Sequence, residues 1–149
     1  MLALYRDCVG TEVLAPVGLP ADVAALAAEA PPADLAPPGG EMLLVTLDGE
    51  PVAIGGVRDL DTPVAEIKSM YVAPVARRRG LGRRLLERLE ETATARGCRT
   101  VRLDTANHLT AAIALYRARG YREIPAYNDE SIADLWFERK LSRRRERPA

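Results

Sequence analysis

Between residues 66 and 87 the chain reads EIKSMYVAPVARRRGLGRRLLE. Arg77, Arg78 and Arg79 precede Gly80-Leu81-Gly82, and Arg83 and Arg84 follow. Guanidinium groups present forked donors that match phosphate oxygens, and glycines let such a group come close to the main chain. A helical apolar period starts at Leu81, so the loop opens onto a helix N-terminus. Its orphan N–H groups and partial positive charge favour an anion. The chemistry implied is capture of a phosphorylated ligand, foremost a nucleotide-containing cofactor.

Two common phosphate motifs are excluded by the residues themselves. A P-loop needs Gly, four residues and Gly-Lys-Ser/Thr, and no such run occurs. A dinucleotide fingerprint needs G-x-G-x-x-G, and Leu85 stands where the third glycine belongs. What remains is Arg77-x-x-Gly80-x-Gly82, which by itself also reads as a solvated arginine turn before a surface helix.

That pattern resembles the Q/R-x-x-G-x-G/A signature of the GNAT superfamily of N-acetyltransferases. Two neighbouring blocks strengthen the resemblance. EIKSMYVAP, residues 66–74, is similar to the family's fourth strand. After Asn107, the run AAIALYRARGY over residues 111–121 looks like the A-x-x-L-Y-x-x-x-G-F/Y block, with Tyr121 in the aromatic slot. The resemblance spans residues 41–141. It implies an α+β fold of the three-layer type, with a mixed, mostly antiparallel sheet of about six strands flanked by helices. The family usually opens with a strand before its first helix. This chain starts at or near that helix, so its first edge strand is in question.

The resemblance also implies an activity. Acetyl-CoA would donate its acetyl group to a primary amine of a small molecule or peptide, by direct attack in a ternary complex and without a metal. The main chain of Met70, Tyr71 and Val72 would hold the pantetheine arm as an added strand does. Arg77, Arg78, Arg79, Gly80, Leu81, Gly82 and Arg83 would take the pyrophosphate, and Asn107 would lie beside the arm. Tyr116 matches the family's general-acid tyrosine. The alternative is a non-catalytic acyl-CoA-binding regulatory module.

An alkylammonium has a pKa near ~10, so attack at neutral pH needs a base. Glu66 is the candidate, directly or through water. Strand alternation puts it with Lys68 and Met70, opposite Ile67, Ser69 and Tyr71. It reads equally as a charge at the solvent end of a strand. A backbone N–H near Met70 or Tyr71 is the natural oxyanion donor. Tyr116 shares a helical face with Leu109, Ala112 and Ile113, so core packing is its competing reading. Tyr127, Asn128 and Asp129 either contact the acceptor or form a turn. His108 is assigned no role.

The positioning elements follow from periodicity. Strands are expected at residues 42–47, 52–57 and 64–72, with Asp48-Gly49 as a hairpin turn. A helix is expected from Leu81 to Arg96, with Leu81, Leu85, Leu86, Leu89 and Ala93 as its apolar stripe and Gly97 as its stop. A strand of the buried type is expected at 100–104 and a helix at 110–119, ended by Gly120. Strands at 121–124 and 133–141 close the pattern. Residues 2–8 and 21–30 read as helices, and 31–40 as a loop.

The 149 residues suit one domain: a core over 41–141, a variable N-terminal part over 1–40 and a basic tail over 142–149. Zero formal net charge and 5% aromatic residues argue against nucleic acid as partner. Without a long apolar run or a leader pattern, the expected location is the cytoplasm, with no membrane association. Two cysteines and one histidine make structural zinc an unsuitable reading. Cys98 reads as a packing residue. Oligomeric state is open, a homodimer included.

Overall fold

The computed structural model describes residues 11–14, 33–36, 38–47, 50–61, 63–73, 78, 80–130 and 133–142. The helices expected at 2–8 and 21–30 lie outside these residues. So do the Asp48-Gly49 turn, Cys8, Arg77, Arg79 and the tail beyond 142.

The described elements run β1 (Thr11–Leu14), β2 (Gly40–Leu47), β3 (Glu50–Asp61), β4 (Val64–Val72), α1 (Leu81–Ala95), β5 (Thr100–Thr105), α2 (Thr110–Ala118), β6 (Arg122–Ile124) and β7 (Leu135–Lys140). The strands form a seven-stranded sheet ordered β1-β2-β3-β4-β5-β7-β6. It is mixed: β1 is parallel to β2 and β4 to β5, whereas β2/β3, β5/β7 and β6/β7 are antiparallel. The α+β class expected from the sequence is the one found. The doubt over the first edge strand is corrected, because Thr11–Leu14 pairs with Leu44–Leu47. Four residues carry no readable period, and a parallel partner lies a long crossover away, so no local signal marks this strand.

The described residues fall into two compact units, one drawn from Met1–Arg58 and Ile67–Leu89, the other from Asp59–Glu66 and Glu90–Ala149. In the first, β2 and β3 pair through Leu44↔Ile54, with a register shift at Val45/Thr46. Residues 42–46 and 52–57 are buried without alternation, as in strands covered on both faces. Leu81, Leu85, Leu86 and Leu89 of α1 are buried at helical spacing. Each contributes about 2 kcal/mol by leaving water. Gly55 lets Leu89 come close, since a Cβ there would stand 2.9 Å from the leucine Cδ1.

In the second unit, both helices end in the same device. The N–H of Cys98 donates to the Ala93 carbonyl and that of Gly97 to Thr94, with Gly97 at φ 84°. Tyr121 donates to Tyr116 and Gly120 to Arg117, with Gly120 at φ 86°. This is the Schellman arrangement, and the left-handed residue is why glycine stands there. β5 is not a fully buried strand as expected. Val101, Leu103 and Thr105 are buried while Thr100, Arg102 and Asp104 are half-buried. Charged residues at alternate positions leave one face open for polar chemistry.

Candidate functional site

The first unit carries the residues expected to hold a phosphorylated ligand. Met70, Tyr71 and Val72 are half-buried at the end of β4, and the chain continues with the Ala73 N–H donating to the Val52 carbonyl at 2.8 Å. Arg78 is exposed and adopts φ 65°, and Gly80 adopts φ 73°. A Cβ added at Gly80 would meet nothing within 4 Å, so its glycine identity serves the left-handed turn and the space above it is open. Helix α1 then starts, with the Arg84 N–H bonded to the Gly80 carbonyl at 3.1 Å. The N–H groups before Arg84 therefore have no partner inside the helix and point at its N-terminal end.

Side chains at this helix start divide by depth. Leu81 is buried and anchors the turn, and Gly82 is half-buried. Arg83 is exposed and pairs with Glu87 one turn on, at 3.0 Å. A surface pair of this kind is worth only a few tenths of a kcal/mol, so an arriving phosphate can take over the guanidinium.

The second unit carries the candidate acid–base groups. Glu66 sits in the parallel ladder opposite Arg102 and is completely enclosed, at 0% exposure. The solvent-end reading of this glutamate is thereby corrected. Alternation could not separate it, because Ala65, Glu66 and Ile67 are all buried and the strand is covered on both faces. The Tyr127 hydroxyl donates to Glu66 Oε2 at 2.6 Å, a charge-assisted contact of the short, strong kind.

Tyr127 is itself held in place. The Arg102 guanidinium lies over its ring, 5.6 Å from the centroid, and Arg102 Nε donates to Glu138 Oε2 at 2.8 Å. The neighbouring Asn128 donates to Asp104 Oδ2 at 2.8 Å and accepts from Trp136 Nε1 at 2.9 Å. Burial, then the Glu66 carboxylate, push the Tyr127 phenol well above its ordinary range, so it is protonated at neutral pH.

Tyr116 is the buried residue of α2. Its ring lies 5.9 Å from that of Tyr121 and 6.1 Å from that of Phe137. Burial, with a smaller contribution from the Asp104 charge, pushes its hydroxyl up to about 12. Asn107 and His108 are exposed, and the Asn107 N–H donates to Asp134 Oδ2 at 2.9 Å. Asp129 is exposed.

The sequence reading missed Asp104 and the bond between Glu66 and Tyr127. Asp104 had a usable signal, a carboxylate near the C-terminal end of a parallel strand, where α/β sheets place ligands. The Glu66–Tyr127 pair, 61 residues apart, had none. Among the described residues, no cluster of metal-ligating side chains occurs and no helix is long and apolar enough to cross a membrane.

Comparison with known proteins follows the same lines. The sequence profile of the Acetyltransferase (GNAT) family matches residues 16–121. An IAA acetyltransferase of Azospirillum brasilense is 38% identical over 90 residues, covering 60% of this chain and 59% of that protein. The uncharacterized N-acetyltransferase YjgM of Escherichia coli is 33% identical over 90 residues, covering 58% and 54%. The chain thus spans little more than half the length of either relative. The PaiA N-acetyltransferase of Thermoplasma acidophilum, solved with coenzyme A, shares the fold at a TM-score of 0.60 and 18% identity, covering 69% of this chain and 62% of that one. With the loop, the sheet order and the profile in agreement, the chain belongs to the GNAT family of acetyltransferases.

Proposed function

We propose that the protein transfers the acetyl group of acetyl-CoA to the nitrogen of a primary amine, in a ternary complex. The observation that carries this reading is the left-handed turn at Arg78 and Gly80. It leads directly into α1 with open space over the glycine. Coenzyme A in the Thermoplasma acidophilum neighbour supports acetyl-CoA as the co-substrate. Arg77, Arg78, Arg79 and Arg83, the Gly80–Gly82 main chain and the helix start would take the pyrophosphate. Met70, Tyr71 and Val72 would hold the pantetheine arm through their backbone, with Asn107 beside it.

The chemistry needs no metal. The neutral amine nitrogen attacks the thioester carbon, a C–N bond forms, and a backbone N–H near Met70 or Tyr71 receives the oxyanion. The C–S bond then breaks. Glu66 is where the ammonium proton ends before attack. The proton shed by the nitrogen as the amide forms goes to the leaving thiolate, which Tyr116 hydrogen-bonds. With its hydroxyl at about 12, Tyr116 lies some 3 to 4 units above a thiol of about 8.5. Full proton transfer to the thiolate is therefore uphill, and Tyr116 acts mainly as a hydrogen-bond donor to sulfur.

Calorimetric titration with acetyl-CoA, with ATP and NAD as controls, tests the cofactor, and thiol release on adding amines tests the transfer. Selective micromolar binding followed by amine-dependent release supports the reading. A folded protein that ignores acetyl-CoA overturns it. The complete enclosure of Glu66 favours a second reading, an acyl-CoA-binding regulatory module without turnover. Binding with no thiol release would select it.

A further inference from the structure

A carboxylate at 0% exposure cannot meet an amine directly, and Glu66 has that exposure. One of its oxygens is occupied by a hydroxyl at 2.6 Å, and that hydroxyl belongs to a half-buried residue of the loop between β6 and β7. A phenol has one proton to donate and lone pairs with which to accept. Tyr127 spends its proton on Glu66, so its oxygen is left as an acceptor.

Resting on the acetyltransferase reading above, we infer that Tyr127 is a further catalytic residue, a proton relay between the acceptor ammonium and Glu66. The ammonium N–H is given to the Tyr127 oxygen as the Tyr127 proton moves to Glu66 Oε2. The nitrogen becomes a neutral nucleophile, Tyr127 remains a phenol, and Glu66 becomes a carboxylic acid. One proton has moved through two bonds and no tyrosinate is formed.

The surroundings fit this role and name an acceptor class. Asp104 and Glu66 both act electrostatically on the Tyr127 hydroxyl. Arg102, whose guanidinium lies over the ring, acts in the opposite sense, and its charge is shared with Glu138. Two carboxylates beside the relay favour a cation, so the class is a basic alkylamine that carries a proton at neutral pH. The ring is braced by Arg102 and the adjoining Asn128 by Asp104 and Trp136, as a relay held to one geometry requires.

The test is Tyr127→Phe, which keeps the ring and removes the relay oxygen. Two probes are used: the primary alkylamine that gives the fastest thiol release, and its analogue with a trifluoromethyl group beside the carbon bearing nitrogen, which is mostly neutral at pH 7. Acetyl-CoA affinity, read by calorimetry, reports that the variant is folded. The relay predicts a loss of about 100-fold in kcat/KM for the basic amine at pH 7, the low end for general base catalysis. The loss shrinks as pH rises towards the ionisation of the amine, and it is several-fold smaller for the fluorinated one. Equal losses for both amines at every pH, or no loss, would overturn the relay and leave Tyr127 a structural residue. Wild-type protein that binds acetyl-CoA but releases no thiol with any amine overturns the relay together with the enzyme reading, whereas wild-type turnover with an indifferent Tyr127→Phe removes the relay alone.

Discussion

The rings of Tyr116 and Tyr121 lie 5.9 Å apart, tilted by 58°, and the Tyr121 N–H donates to the Tyr116 carbonyl at 3.0 Å. The contact is the apolar clasp of the Schellman ending, which brings the residue after the left-handed glycine back onto the last helical turn. One motif thereby buries two phenols side by side. Tyr116 is the candidate hydrogen-bond donor to the leaving sulfur. The Tyr121 hydroxyl is buried and among the described residues has no hydrogen-bond partner.

Tyr121→Phe should therefore raise stability. A buried hydroxyl without a partner costs about 1–3 kcal/mol, and phenylalanine keeps the ring contact. A gain of about 1 kcal/mol in urea unfolding is expected, and a loss of that size would show that the hydroxyl has a bonded role.

Tyr116→Phe should behave differently. Stability should change little, because the ring packing against Tyr121 and Phe137 is retained, while turnover should fall roughly 10- to 100-fold with acetyl-CoA affinity nearly intact. Full activity would leave Tyr116 as core alone.

Gly82→Val tests the phosphate loop. The branched side chain would stand in the first turn of α1 and obstruct close approach of the pyrophosphate. Acetyl-CoA binding is expected to weaken at least ~10-fold with circular dichroism unchanged. Wild-type affinity would remove the pyrophosphate from this turn.

Glu90→Gln addresses stability away from the chemistry. Its side chain, 5% exposed, joins Arg119 at 2.9 Å and Arg139 at 2.6 Å. The variant leaves two guanidinium groups against a neutral amide. Breaking a buried pair costs about 3–5 kcal/mol, and the partial exposure of both arginines reduces that to roughly 2–3. The melting temperature should fall by about 5–10 °C for a chain of this size. An unchanged melting temperature would show that water has already dissolved the cluster.

Alkaline pH should unfold the protein through its phenols. Tyr116 is held up to about 12, and burial pushes Tyr121 and Tyr127 higher still. Unfolded tyrosines ionise near ~10, so above that pH unfolding releases protons and stability falls. Stability should be flat with respect to these groups below about pH 9 and drop through pH 10–12. Phenolate absorbance of the native protein should lag that of urea-unfolded protein, and coincident curves would disprove the shifts.

What the sequence by itself determined was local. The Leu81–Ala93 stripe, the glycine stops at Gly97 and Gly120, the strand at residues 64–72 and the Arg-Gly turn are each set by residues within a few positions of one another. Periodicity, left-handed conformation and helix-end donors act over that range, so the elements and the family could be read directly.

Only the tertiary structure decided which side of β4 matters and what meets it there. Glu66 lies in a strand whose neighbours are buried on both faces, so alternation is silent about its depth. Its partner Tyr127 comes from a loop 61 residues away, set in position by Asp104, Trp136 and Arg102. β1 shows the same limit, since its four residues become a strand only against Leu44–Leu47. A hydrogen bond or a strand pair between distant segments has no period to betray it. Its free energy arises only once the intervening chain has folded and paid the entropy of closing the loop.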